Sequence, residues 1–255
     1  MRTHRRSSPL SALLLAATLG SAALCASAQV PASVLDEDPI ASSAPPIPDK
    51  IEGLNRFFFK VNDGVYRYAL RPISRGYAKV VPKPIRRGIG HFFDNLRYPT
   101  RLVGNLMEGH GKGALKETGR FIVNTTAGIG GFLQIADDIP ALRVPESDLG
   151  QGFAAWGFGH GTYVVLPILG PSSARDGIGM GISGIYLSPL HYLDEWEHRV
   201  AAHALDAVNQ SPETMDTYFN FKSGAIDPYI AVRDAFAARR AKQISEVPAD
   251  TAPAP

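Results

Sequence analysis

Residues 166–177, Leu-Pro-Ile-Leu-Gly-Pro-Ser-Ser-Ala-Arg-Asp-Gly, constrain the fold more than any other stretch. They set a Gly-Pro break and the pair Arg175–Asp176 inside a glycine-rich, apolar neighbourhood running from Gly157 to Leu193. A membrane-spanning helix would carry that charged pair only with a polar partner or cavity. An ordinary soluble helix would not hold so much glycine and proline. The stretch therefore predicts a turn between two short apolar elements. Gly170 and Pro171 stop the first, Ser172 or Ser173 caps the second, and Arg175 or Asp176 fixes it by a salt bridge or a backbone bond.

The rest of the chain is helical in pattern. Leu54, Phe57, Phe58, Val61, Val65 and Tyr68 recur as one face of an amphipathic helix, which Pro72 is expected to end. Prolines 82 and 84 open a helix to about 96, and Pro99 opens another to about 108. Residues 111–126 form the next, stopped by Gly128, Gly130 and Gly131. A short one follows near 132–137, and Asp148 or Ser147 caps another near 149–156. Further helices are expected from the 172–173 cap toward 186, and over 195–208, 212–221 and 228–242. Residues 163–166 suit a short extended segment, but no alternating strands build a sheet. The fold class expected is all-α.

The ends differ in kind. Arg2, Arg5 and Arg6, an apolar run over 10–24 and Ala26-Ser27-Ala28 before Gln29 form a secretory signal over residues 1–28. Cys25 is the only cysteine, so no internal disulfide exists. It stands where a bacterial lipoprotein carries its acylated cysteine, an anchor contributing about 0.8 kcal/mol per buried methylene. Leu24 before it is larger than that signal prefers, and cleavage after Ala28 would discard it; both outcomes stay open. Residues 29–48 and 244–255 are disordered Pro/Ala-rich segments, leaving one domain over 49–243.

Composition excludes several classes. With 45% hydrophobic residues the chain buries a real core. Its net charge of +2 owes three arginines to the leader, leaving about −1 and no basic stripe for nucleic acid. Past residue 28 no segment offers 18 uncharged apolar residues to span a bilayer. His198 and His203 are five apart, the wrong spacing for two metal ligands on one helical face, so no metal or cofactor is expected. Gly109–Gly113 looks like a phosphate loop but lacks the hydroxyl residue after Lys112. Ser172, Asp176 and a histidine could be imagined as a hydrolase triad, but no G-x-S-x-G elbow is present. Phe57, Phe58, Phe59 and Trp156 admit two readings: a face dipping into lipid, or core.

An ordered series of short motifs resembles the MlaA (VacJ) family of bacterial outer-membrane lipoproteins. It opens with Asp49-Lys50-Ile51-Glu52-Gly53-Leu54-Asn55-Arg56, with Lys50 where the family has proline. It continues through Arg71-Pro72, Val81-Pro82-Lys83-Pro84-Ile85-Arg86, Asn95-Leu96, Asn105, Arg120-Phe121, Asn124-Thr125 and Gly128-Ile129-Gly130-Gly131-Phe132. Asp148-Leu149-Gly150-Gln151 follows, then L-P-x-x-G-P-S-x-x-R-D over 166–176, and Asp227-Pro228-Tyr229 with Arg233. The resemblance implies a ring-shaped bundle of short amphipathic helices lying in one leaflet of the outer membrane, on its periplasmic side. It implies partners: phospholipids, a trimeric porin and a periplasmic, MlaC-like lipid carrier. The implied work is removal of phospholipids that have strayed into the outer leaflet and their transfer toward the inner membrane, without catalysis. Within that frame Leu166, Pro167, Gly170, Pro171, Ser172, Arg175 and Asp176 would support the lipid passage. Phe57, Phe58, Phe59 and Trp156 would face the membrane. The alternatives are a periplasmic serine lipid hydrolase and a passive porin-associated structural protein.

Overall fold

The computed structural model describes residues 47–246; the expected signal, Cys25 and most of both Pro/Ala-rich segments lie outside the described residues. Helices dominate. In chain order they are α1 (Glu52–Val65), α2 (Arg71–Val80), α3 (Lys83–Leu96), α4 (Tyr98–Met107), α5 (Gly111–Thr126), α6 (Leu149–Ala155), α7 (Ala174–Ile182), α8 (Trp196–Ser223) and α9 (Pro228–Ser245). Short 3₁₀ turns at Ile135–Asp138, Pro140–Leu142 and Pro189–Tyr192 link them. Among the described residues no helix is long and apolar enough to cross a membrane.

Two prolines do not do what their sequence context suggests. Pro72 does not end α1; a π turn, Tyr66–Leu70, joins α1 to α2 almost without a break. In that turn the Arg71 N–H bonds to the Tyr66 carbonyl, five residues back, so the ladder is already loosened where proline withholds its donor. Pro212 lies inside α8, which runs unbroken where two helices were expected. An interior proline costs about 3 kcal/mol in an isolated helix. Here Asp206, Asn209, Met215 and Tyr218 bury around it, and Asn209 ties α8 to α3 by donating to the Arg86 carbonyl at 2.9 Å.

The helical expectation holds, and the extended segment expected at 163–166 is one strand of a small two-stranded sheet. β1 (Tyr163–Leu166) pairs antiparallel with β2 (Gly170–Ser173), Tyr163 opposite Ser173 and Leu166 opposite Gly170. Four residues are too few to display an alternating pattern, which is why the strand was only half legible. Gly170 turns the hairpin at φ +86°, a conformation glycine adopts without strain.

The outer edge of β1 is covered by a helix. Asn55 accepts from the Val165 N–H (2.9 Å) and donates to the Tyr163 carbonyl (2.9 Å). Asn62 accepts from the Ile168 N–H (2.6 Å) and donates to the Leu166 carbonyl (2.8 Å). Seven helical residues advance about 10.5 Å. Three strand residues advance about 10 Å. The two asparagines are thus in step with the strand, and their side-chain amides stand in for a third strand.

Two apolar clusters lie behind this joint. One holds Ile47, Tyr163, Val165, Tyr229 and Ala237; the other holds Tyr66, Met215, Tyr218 and Val232. Ile47 and Pro48, expected as linker, belong to the fold: Ile47 is buried, and the Pro48 carbonyl accepts from Tyr163 N–H at 2.8 Å. Likewise α9 carries the ordered chain to Ser245, past the expected start of the tail.

Candidate functional site

Among the described residues, buried polar and charged side chains outnumber buried apolar ones, 21 to 14. Large apolar side chains are correspondingly exposed. Leu54, Phe57 and Val61, which lie on one face of α1, are 52%, 58% and 39% exposed, while Asn55 and Asn62 are buried. Water outside would favour the opposite arrangement.

The buried polarity gathers at helix crossings. α7 starts where Ser173 accepts from the Asp176 N–H (3.2 Å). That cap aims Asp176 at Arg240 on α9, which binds it through Nε (3.1 Å) and Nη2 (2.8 Å). Arg240 also grips Asp148, the cap of α6, through Nη1 (2.7 Å) and Nη2 (3.1 Å). Arg175 bonds Asp176 from the other side (Nε, 3.0 Å) and donates to the Phe158 carbonyl (3.2 Å). One guanidinium therefore fastens three helix ends.

The electrostatics follow. Burial works against ionising Asp148, but the Arg240 charge and the bonds from Arg240 and Gln151 prevail and hold it well below the usual carboxylate range. Burial also works against the Arg240 cation, yet the two carboxylates keep it charged. Burial, then the Arg175 charge, lowers His160, leaving its imidazole neutral. A guanidinium only donates, so His160 Nδ1 is the acceptor of the Arg175 Nη2 bond (3.1 Å).

Glycine makes this crossing possible. A Cβ on Gly150 would sit 2.4 Å from Asp176 Oδ1 and 2.6 Å from Arg240 Nη2. One on Gly179 would sit 2.8 Å from the Gly150 nitrogen. The glycine-rich character of this region is thus a packing requirement where α6 meets α7.

A second network joins α3, α4, α5 and α8. Arg101 binds Glu117 (3.0 Å) and Asp94 (3.0 Å), and Arg97 binds Asp206 (2.7 Å). Glu117 and Asp206 are buried.

Between the two networks lies a cavity of about 470 Å³. Asp94, Arg97, Arg101, Asp148, Asp176 and Arg240 supply charges of both signs to its wall. Phe93, Leu149, Leu190, Val232 and Phe236 supply apolar surface. The wall is amphipathic and so suits a molecule with a charged and an apolar part.

The sequence-derived candidates divide accordingly. Pro171, Ser172 and Asp176 line the cavity, and Arg175 braces Asp176 from behind. Leu166 and Gly170 close the hairpin and Pro167 lies in its turn. Trp156 is 60% exposed, its indole N–H on the Met107 carbonyl (2.8 Å). Phe57 is exposed, but Phe58 and Phe59 turn inward onto the apolar clusters and do not share its face. Three consecutive helical residues fan through about 200°, so they cannot all look one way. The Ser172 hydroxyl donates to the Ser173 carbonyl (3.3 Å), and Ser173 Oγ is the α7 cap.

Sequence reasoning missed Asn55, Asn62, Arg97, Arg101 and Arg240 as structural determinants. The seven-residue spacing of the asparagines was a usable signal. Arg240 offered none, because its partners lie 64 and 92 residues away. The recognised motifs do converge: Arg56 binds Asp227 (2.9 Å) and stacks over Tyr229 (4.4 Å), and Tyr229 hydroxyl meets Asp49.

The same architecture occurs in known proteins. The profile of the MlaA lipoprotein family matches residues 47–243. The intermembrane phospholipid transport system lipoprotein MlaA of Haemophilus influenzae is 31% identical over 190 residues, 74% of this chain and 76% of that protein. Its counterpart in Escherichia coli is 31% identical over 191 residues, covering 74% and 75%. A solved structure, described in work on the structural basis for maintenance of bacterial outer membrane lipid asymmetry, superposes with a TM-score of 0.67 at 30% identity. It covers 77% of this chain and 98% of its own.

Proposed function

The chain belongs to the MlaA lipoprotein family, and from that premise we propose that it maintains outer-membrane lipid asymmetry by intermembrane phospholipid transport. The observation that carries this reading is the inverted polarity: apolar side chains outside, charges of both signs around a cavity inside. Such a body is at home in a leaflet, its apolar exterior against acyl chains. Irregular backbone at membrane depth, such as the hairpin and the π turn, is tolerated where it is buried in protein or lines a cavity.

A phospholipid that has strayed into the outer leaflet enters the cavity headgroup first. Its charged head exchanges water for the polar wall, and its acyl chains follow the apolar lining. The Ser172–Asp176 turn supports that wall: Asp176 lines it and is held there by Arg240, and Arg175 braces Asp176 from behind. Phe57 and Trp156 face lipid. A trimeric porin holds the protein in place, and a periplasmic MlaC-like carrier takes the lipid toward the inner membrane. The signal over residues 1–28 exports the chain, and Cys25, if kept after processing, anchors it on the periplasmic side.

The test is outer-leaflet phospholipid content in a deletion strain. Phospholipid is expected to rise on deletion and to fall when the wild-type chain or the double variant Ser172→Ala, Ser173→Ala is restored. Rescue by wild type but not by a folded double variant would favour lipid hydrolysis. No rise on deletion would favour a passive structural role.

A further inference from the structure

The segment that exposes Tyr68, Ile73, Val80 and Ile85 also carries a ladder of cations. Arg67, Arg71, Arg75 and Lys79 recur at four-residue intervals, and Lys83 and Arg87, both exposed in α3, continue the spacing. Two pairs of contacts place the rungs side by side. Arg67 and Arg71 lie over the same ring, Phe219, at 5.7 and 4.7 Å. Arg71 and Arg75 reach the same carboxylate, Asp216, at 3.1 and 3.2 Å. The π turn holds the first rung, Arg67, and ends just before the second, and its wider winding offsets the drift that four-residue spacing accumulates on an α-helix.

The ladder is not neutralised. Asp63 is shared by Arg67 and Lys222, and Asp216 by Arg71 and Arg75. Lys79 is exposed and forms no ion pair among the described residues. Two carboxylates thus answer five cations.

The rest of α2 completes a three-sided helix. Ser74 is buried and Tyr77 binds Asn209 of α8 (2.7 Å), so that face is packed on protein. Ile73 and Val80, two turns apart, are 56% and 81% exposed, roughly half a turn around from the cations. An apolar flank and a cationic flank divided in this way belong to a helix lying in the plane of a membrane interface.

We infer that α2 lies at headgroup level, with Ile73 and Val80 among the acyl chains and the Arg67–Lys79 ladder binding anionic phospholipid headgroups. The inference rests on the reading that the body sits in a lipid leaflet, and it adds the lipid chemistry that the leaflet must offer. Charge complementarity selects the occupant: each Lys or Arg near an anionic surface adds about fivefold to affinity.

The test titrates the purified protein with vesicles of phosphatidylcholine alone and with phosphatidylglycerol mixed in. Binding is expected to be tenfold or more tighter on the anionic vesicles, and the gap should close at high salt. The double variant Arg75→Gln, Lys79→Gln should narrow the gap by at least about fivefold, the share of the exposed Lys79 alone, and leave affinity for neutral vesicles unchanged. Both side chains are exposed and Arg71 still holds Asp216, so a thermal melt should match wild type. Equal affinity for both vesicles overturns the ladder and leaves the membrane reading standing. An undiminished gap in the double variant overturns the assignment to these residues. Binding to neither vesicle overturns the leaflet reading and the ladder with it.

Discussion

The two sides of this molecule are held together by different chemistry. Where α1, the hairpin, α8 and α9 meet, the interior is aromatic and aliphatic: Tyr163, Val165, Tyr229, Tyr66, Met215 and Tyr218. Where α3 to α7 meet one another and α9, the interior is charged: Arg101 with Glu117 and Asp94, Arg240 with Asp148 and Asp176. Hydrophobic burial needs no partner geometry, so the first side tolerates irregular elements such as a hairpin and a π turn. Buried ion pairs repay their desolvation only with good geometry, so the second side needs capped helix ends and glycine crossings. The charged side supplies the polar wall of the cavity, and Tyr218 and Val232 of the apolar side complete its lining. The proposed passage of headgroups would require polar groups there, and the networks fix them in place.

The largest effect is expected from removing the clamp. Arg240→Met takes the clamping cation from Asp148 and leaves Asp176 with Arg175 alone, and should cost about 3–5 kcal/mol, read as a fall in denaturation midpoint. A loss as small as that of a surface substitution would show that the charged side does not hold itself together as described. Gly150→Ala comes next. Alanine is the better helix former by about 1 kcal/mol, yet its Cβ would strike Asp176 and Arg240. Net destabilisation of about 1–3 kcal/mol is expected, and a stabilised variant would break the crossing argument. Asn62→Ala should cost about 1–3 kcal/mol, because it strips partners from the Ile168 N–H and the Leu166 carbonyl. Hydrogen exchange should quicken at Ile168 before it does in α4.

Acid sharpens the comparison further. Asp148 has a depressed folded pKa, so its contribution is complete above the unfolded value of about 3.9. That contribution is lost as pH falls from there through the lower folded value. Circular dichroism below about pH 4 should therefore report wild type weakening more than Arg240→Met, in which the cation is already gone. The smallest effect is expected at Tyr163→Phe. The Tyr163 hydroxyl is buried without a hydrogen-bond partner among the described residues, so its removal should be neutral or stabilise by up to about 1 kcal/mol.

Much of the local punctuation was legible in the residues. Prolines at the starts of α3, α4 and α9, the extent of α5, and the Asp148 and Ser173 caps are short-range signals. The continuity through Pro72 and Pro212 was not legible, because tertiary packing and a π turn decide it. The inversion of polarity was not legible either. A helical period reveals that Leu54, Phe57 and Val61 form a stripe, but not whether protein or lipid lies against it. The Pro171–Asp176 turn was found as a motif, whereas its anchor Arg240 depended on pairing across most of the folded chain.

The central claim is that phospholipid occupies the cavity between the two charged networks. A photo-reactive amino acid at Ser183 or Gln210, both on the cavity wall, tests it in living cells. Illumination followed by mass spectrometry of the protein should yield a phospholipid adduct at each position. An absence of phospholipid adducts at both, in variants that still keep phospholipid out of the outer leaflet, would contradict the account.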